Sequence, residues 1–261
     1  MINRRDRNGR IHKAVQDHYT LVAKNGDLSF KFEPNTLLRG QSLIDTARCL
    51  RAHRIYGKDQ LHGLPDDVVF ASTGCSNPVA LSYLQLGETV VDLGSGGGID
   101  AFLAAREVGR RGSVVGIDMT IAMVEIARNN AQKLCTENVI FKLAPIEAIP
   151  MSDSTADVII SNCVIALAPD KDIVFREAYR VLRPGGRLLI SDLVMIERLP
   201  VKAVSDAREW VAGFDGADDQ DTYTERLSDA GFIVTDVIKN DPVQSFGDLS
   251  RLSRLRSFSF L

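Results

Sequence analysis

The residues with the clearest chemical potential are a run of glycines flanked by two aspartates. Glycines stand at positions 94, 96, 97 and 98, Asp92 precedes them, and Asp118 follows about one βα unit later. Glycine has no Cβ, so such a loop turns tightly and lets a ligand lie directly against the backbone. A carboxylate at the position of Asp118 can accept hydrogen bonds from both hydroxyls of a ribose. The spacing therefore predicts a site for a ribose-bearing ligand.

The glycine loop favours S-adenosylmethionine over a dinucleotide. A dinucleotide-binding loop reads Gly-x-Gly-x-x-Gly, a pattern from which the glycines at 94 and 96–98 depart. Asp92, at the end of the preceding strand, is unfavourable beside a pyrophosphate but suits the cationic amino-acid end of S-adenosylmethionine. We therefore predict S-adenosylmethionine and not NAD as the cofactor. A glycine-rich turn that binds no ligand is the structural alternative.

The composition and charge of the chain argue against a nucleic-acid-binding, membrane or secreted protein. The chain has 261 residues, 45% of them hydrophobic, and a net charge of −3. It can bury one substantial core, and it offers no basic field for nucleic acid. It has neither an apolar stretch long enough to span a membrane nor the apolar segment of a secretory signal near Met1. We expect a cytoplasmic protein with a small-molecule substrate and no nucleic-acid or membrane partner, and its oligomeric state stays open.

Alternating strands and helices must position the loop. Five strands are predicted over 89–92, 113–118, 139–143, 157–161 and 187–192, with helices over 100–108, from Thr120 to about 133, and over 172–181. This order predicts an α/β fold with a doubly wound, mostly parallel, seven-stranded Rossmann-like sheet. We expect residues 85–195 to form the cofactor-binding core, residues 1–84 an N-terminal cap and substrate-facing segment, and residues 196–261 C-terminal cap helices and closing strands.

The two flanking segments carry weaker patterns. Residues 11–19 predict an N-terminal cap helix, and residues 42–53 a possible second helix. After Pro200, helices are predicted over 204–211 and 222–230, and a strand over 232–239. The alternation in Ser257–Phe260 predicts a final edge strand beside it. All four histidines, His12 included, lie outside the predicted core and are expected to be solvated or to serve packing.

Over roughly residues 85–240 the chain resembles the class I S-adenosylmethionine-dependent methyltransferases. The motifs that carry the resemblance are the glycine loop, Asp118, Ile146-Glu147, Ser161-Asn162-Cys163 and Arg183-Pro184-Gly185-Gly186. The resemblance implies a cofactor site in which Asp92 and Gly94 lie near the methionine end, Asp118 and Met119 hold the ribose, and Ile146 and Glu147 flank the adenine. We expect Ser95, Gly96 and Asn162 to complete this site.

Within that class the chain is similar to the arsenite methyltransferases. The local matches are Gly74-Cys75 ahead of Asn77-Pro78, Ser161-Asn162-Cys163-Val164-Ile165, and Ala47-Arg48-Cys49. The resemblance implies that Cys49, Cys75 and Cys163 are the working thiolates. As(III) is a soft, thiophilic centre, so three sulfurs could hold it in a pyramid with its lone pair free. Methyl transfer would then depend mainly on positioning.

The chain departs from the arsenite methyltransferase pattern in places that bear on the acceptor. Gly213 stands where family members carry a further cysteine, and Ala166 replaces an asparagine that is common after the fourth strand. Two alternatives therefore stay open: a methyltransferase of the same ancestry acting on a small organic acceptor, and a protein that binds S-adenosylmethionine without turnover. Cys135 matches no family role and is expected to be structural or incidental. Four cysteines are too few for a disulfide framework, and cytosolic thiols are expected to stay reduced.

Overall fold

The computed structural model describes residues 4–26, 52–195, 210, 216–239 and 255–260. Cys49, Gly213, and most of the helices predicted over 42–53 and 204–211, lie outside these ranges. The helices are α1 (Arg4–Gly26), α2 (which includes residues 52–61), α3 (Asp66–Phe70), α4 (Pro78–Leu81), α5 (Ile99–Val108), α6 (Ile121–Lys133), α7 (Lys171–Val181) and α8 (Gln220–Asp229). The strands are β1 (Thr89–Leu93), β2 (Ser113–Asp118), β3 (Val139–Leu143), β4 (Ala156–Asn162), β5 (Leu182–Met195), β6 (Val237–Lys239) and β7 (Leu255–Phe260).

One sheet organises the described residues, with strand order β3-β2-β1-β4-β5-β7-β6. The first five strands are parallel, and β7 runs antiparallel to both β5 and β6. This confirms the predicted doubly wound α/β fold. The strand order reverses between β1 and β4, where ligands bind beyond the carboxyl ends of the strands in folds of this kind.

The central strands β1 and β4 are buried on both faces, as the continuous apolar sequence of β1 predicts. On one face Val90 of β1 packs with α5, and on the other Val91 packs with α7. Both valines have 0% of their surface exposed. Since side chains alternate along a strand, this pairing fixes which face each later side chain of β1 occupies. The sheet thereby holds its carboxyl-terminal edge rigidly beneath the glycine loop.

The position of β7 differs from the prediction of an edge strand. β7 does pair with β6, but it lies between β5 and β6, so the three-residue β6 forms the edge. The physical reason is Phe260, which is 1% exposed and stacks on Tyr223 at 4.6 Å between ring centroids. A fully buried aromatic ring favours an interior strand, whereas every residue of β6 is exposed.

Cys135 follows α6 in a left-handed conformation, with φ of 50°. Its N–H bonds to Gln132 O at 3.1 Å, and Thr136 N bonds to Ala131 O at 3.0 Å, which is the Schellman pattern that favours glycine. We expect Cys135→Gly to raise the free energy of unfolding by about 1 kcal/mol because glycine adopts this conformation without strain. Urea denaturation measures the change, and an unchanged or lower value would contradict it.

Candidate functional site

A pocket lies beyond the carboxyl ends of β1 and β4. Seven of the nine predicted cofactor residues line it: Gly94, Gly96, Asp118, Met119, Ile146, Glu147 and Asn162. These residues stand at the carboxyl ends of four strands, β1 to β4. Helix α1 adds His12, Val15 and Tyr19, which the sequence reasoning did not place in the site.

The glycine loop is held against the end of β2 by backbone hydrogen bonds. The N–H groups of Gly94 and Ser95 both donate to Ile117 O, at 2.8 and 2.9 Å. Gly94 has φ of 69°, and a Cβ there would overlap the side chain of Val164. Glycine at this position is therefore required twice, by its backbone conformation and by the close approach of the chain after β4. The result is a rigid floor of bare backbone for the pocket.

Asp118 joins the glycine loop to the start of α6. Its Oδ2 accepts from Gly96 N at 3.0 Å, and its Oδ1 accepts from Thr120 N at 2.7 Å. Burial raises the pKa of this carboxyl, and the two backbone donors oppose the shift. Each carboxylate oxygen keeps a second lone pair, so both can also accept from a ligand. The arrangement suits the predicted recognition of two ribose hydroxyls.

Asp92 in β1 and Ser95 within the glycine loop are buried and do not line the pocket. Within the part of the chain that the structure describes, Asp92 Oδ2 and Ser95 Oγ have no hydrogen-bond partner. Burial and the charges of Asp100 and Asp118 raise the pKa of Asp92 well above its usual value. Burial also raises the pKa of Asp100 to about 6. Because burial disfavours the charged forms of Asp92 and Asp100, a cationic group bound nearby would favour their ionisation.

Glu147, in the turn after β3, forms an ion pair with helix α1. Its Oε1 lies 2.8 Å from Nε2 of His12, and the two side chains are 13% and 32% exposed. The expectation that His12 is solvated or only packs therefore differs from the structure. His12, Val15, Gln16 and Tyr19 share one helical face, and this spacing was the available signal. The partner of His12 could not be read from the sequence because Glu147 stands 135 residues away.

Asn162, at the end of β4, connects the glycine-cysteine segment to the core. Its Oδ1 accepts from Cys75 N at 3.0 Å, and its Nδ2 donates to Ser76 O at 2.8 Å and to Asp100 Oδ2 at 2.9 Å. Tyr56 of α2 also donates to Asp100 Oδ2, at 3.2 Å. A Cβ at position 74 would overlap the Asn162 amide, which explains the glycine before Cys75. One side chain therefore sets the position of Cys75 relative to β4.

Cys75 and Cys163 are joined as a disulfide, with their Cα atoms 6.0 Å apart. The expectation that the thiols are reduced is not met for this pair. The cause is local geometry, since Asn162 holds Cys75 beside Cys163 across 88 residues of sequence. Cys163 lines the pocket, whereas Cys75 lies behind it and is 4% exposed. Cys135 is exposed and stands apart from this site, in agreement with an incidental role.

The third predicted sulfur, Cys49, lies outside the described ranges. Among the residues that are described, no group of three or more His, Cys, Asp or Glu side chains is arranged to hold a metal ion. Two of the three predicted thiolates thus come together, and the ligand set beyond them stays a prediction. The described helices also include none that is long and apolar enough to cross a membrane.

Removing the amide of Asn162 tests whether it positions Cys75. Asn162→Ala leaves Cys75 N, Ser76 O and Asp100 without these partners, so we expect the free energy of unfolding to fall by roughly 2 kcal/mol. We also expect the disulfide between Cys75 and Cys163 to form more slowly during reoxidation. Titration of the free thiols over time measures this rate. Reoxidation at the wild-type rate in a folded variant would show that Asn162 does not set the position of Cys75.

Comparisons with known proteins bear on this site. Residues 84–231 match the methyltransferase domain family. The chain is 42% identical over 196 residues to an arsenite methyltransferase of Halobacterium salinarum, covering 73% of this chain and 50% of that protein. It is 37% identical over 198 residues to an arsenite methyltransferase of Aquipseudomonas alcaligenes, covering 72% and 52%. The chain thus spans about half the length of the curated relatives it matches.

A solved structure gives the same relationship in three dimensions. It is an arsenic(III) S-adenosylmethionine methyltransferase from Chlamydomonas reinhardtii, with a TM-score of 0.65 and 32% identity. The match covers 80% of this chain and 71% of that one.

Proposed function

The chain belongs to the methyltransferase domain family, and we propose that it transfers the methyl group of S-adenosylmethionine to trivalent arsenic held by cysteine thiolates. The observation that carries this proposal is the pairing of Cys75 and Cys163 at the wall of the pocket. A pair of adjacent sulfurs beside a nucleotide pocket is expected of an enzyme whose acceptor is thiophilic.

The residues of the pocket fit S-adenosylmethionine. Asp118 offers two carboxylate oxygens to a ribose, and the backbone of Gly94 and Gly96 leaves room for a ligand against the loop. Burial raises the pKa values of Asp92 and Asp100, and the charges of Asp100 and Asp118 add to the shift at Asp92, so a cationic group bound nearby would favour the ionised carboxylates. When bound, S-adenosylmethionine supplies an electrophilic methyl group on a positively charged sulfur.

The cysteine pair fits As(III) as the substrate once it is reduced. A dithiol reductant converts the disulfide to two thiols, and their thiolates are the soft ligands that As(III) prefers. Cys163 reaches the pocket and Cys75 lies directly behind it, so bound arsenic would stand at the pocket wall. The third ligand is Cys49 in this proposal, because Gly213 offers no sulfur. The arsenic lone pair would then attack the methyl carbon as the carbon–sulfur bond breaks.

Turnover with arsenite tests the proposal. The protein is incubated with arsenite, a dithiol and S-adenosylmethionine, and methylated arsenic and S-adenosylhomocysteine are measured by chromatography and mass spectrometry. We expect both products to form together. Binding of S-adenosylmethionine without methylated arsenic would refute arsenic as the acceptor and favour a small organic acceptor or a protein that binds without turnover.

A further inference from the structure

Helix α1 lies across the pocket and is anchored on both sides of it. Near its carboxyl end, Val22 and Ala23 pack against Ala71 and Met123. Nearer its amino end, Ile11 and Val15 pack in a second buried cluster with Leu167 and Trp210. The middle of the helix supplies the three residues that line the pocket. Helix α1 therefore forms a roof over the pocket. Its apolar residues pack against the core on both sides of the pocket, and its centre faces the cofactor site.

Two polar contacts fasten the centre of α1 to the pocket wall. His12 pairs with Glu147 at 2.8 Å, and Gln16, one turn later, donates to Met119 O at 3.0 Å. Glu147 and Met119 are two of the residues expected at the adenine and the ribose. The roof is thus bonded to the groups that would contact the nucleotide.

We propose that His12 is a positioning residue for the nucleotide end of the cofactor, holding the Glu147 carboxylate in place and keeping α1 closed over the bound nucleotide. The inference rests on the proposed function in requiring S-adenosylmethionine in this pocket, but it does not depend on the acceptor. His12 acts through Glu147, so its loss should change the rate of cofactor release more than the chemistry of transfer.

The charges around His12 make its ion pair with Glu147 dependent on pH. Glu147 is the charged group that His12 contacts, Asp118 is the other carboxylate that lines the pocket, and Tyr19 is the second titratable group that α1 contributes to it. The hydrogen bond to Glu147 raises the pKa of His12, and burial opposes the shift. The protonated, paired form is therefore complete below the ordinary histidine pKa of about 6.5 and is lost as pH rises through the higher folded value.

Release of tritiated S-adenosylmethionine, chased with unlabelled S-adenosylmethionine, tests the role of His12. We expect His12→Ala to release it about tenfold faster at about pH 6, as befits loss of one hydrogen bond between charged groups. Wild type should release it faster at about pH 8 than at about pH 6. His12→Gln, a neutral donor, should show intermediate release with a smaller change over this range, since Asp100, with a pKa of about 6, still titrates there. Lys13→Gln is the matched control, because Lys13 is 76% exposed on the same helix.

A second readout reports whether the roof itself loosens. Trp210 is the single tryptophan of the chain and packs against Ile11 and Val15. Acrylamide should quench its fluorescence more strongly in His12→Ala than in Lys13→Gln, both with bound S-adenosylmethionine. Equal release rates in His12→Ala and wild type would overturn this inference alone, as would a pH dependence in His12→Gln as large as that of wild type. Failure of wild type to bind S-adenosylmethionine would overturn the proposed function together with it.

Discussion

Cys163→Ser is expected to lower the rate of arsenite methylation by roughly 100-fold or more while leaving the Kd for S-adenosylmethionine within about twofold. The substitution keeps the size of the side chain but replaces a soft sulfur by a hard oxygen, which binds As(III) weakly. Cys163 is the member of the pair that lines the pocket, so its loss removes the ligand nearest the cofactor. Cys75, buried behind it, is left without its partner sulfur.

The loss of activity in Cys163→Ser must be separated from a general effect of losing a thiol. Cys135→Ser is the matched control, because Cys135 is exposed and lies outside the pocket. It should retain wild-type methylation and binding. Calorimetry with S-adenosylmethionine then separates a lost acceptor site from a lost cofactor site. Full methylation activity in Cys163→Ser would rule out thiolate-held arsenic as the substrate complex.

The parallel half of the sheet could be predicted closely because its signals are local. The strand Ser113–Asp118 and the strand Val139–Leu143 were predicted with the bounds that the structure has. Continuous β-branched segments bounded by turn residues specify such strands almost independently of the rest of the chain. The pocket wall followed from the same source, since the carboxyl ends of parallel strands meet at one edge.

The remaining features depend on contacts between distant residues, which a single sequence does not encode locally. Phe260 places β7 inside the sheet by stacking on Tyr223, although alternation alone could not distinguish an edge from an interior strand. His12 reaches Glu147, and Asn162 brings Cys75 to Cys163, only after the chain has folded. In each case the residue types were visible in the sequence, but their partners were set by the topology.

Substitution of Asp118 is expected to have the second large effect, on the affinity for S-adenosylmethionine. Its carboxylate accepts hydrogen bonds from the glycine loop and is also expected to accept them from the ligand. Asp118→Asn has the same shape, yet one of its two terminal atoms becomes an N–H donor. That atom would face either Gly96 N or Thr120 N, which are themselves donors, so one of the two backbone bonds must break. The same amide also offers a ribose only one acceptor. We expect the Kd for S-adenosylmethionine to rise roughly 100-fold, the effect of losing two bonds to a charged group.

A matched control separates the effect of losing the Asp118 charge from the general effect of replacing a carboxylate by an amide. Asp153→Asn is the matched control, since Asp153 is 75% exposed, pairs with Arg180 and lies outside the pocket. It should bind S-adenosylmethionine as wild type does. Burial raises the pKa of Asp118, so removing its charge also removes a desolvation cost, and the free energy of unfolding should change less than the binding energy. Wild-type binding by Asp118→Asn would show that the acid at the end of β2 does not hold the ribose, and would leave the glycine loop as the main source of cofactor affinity.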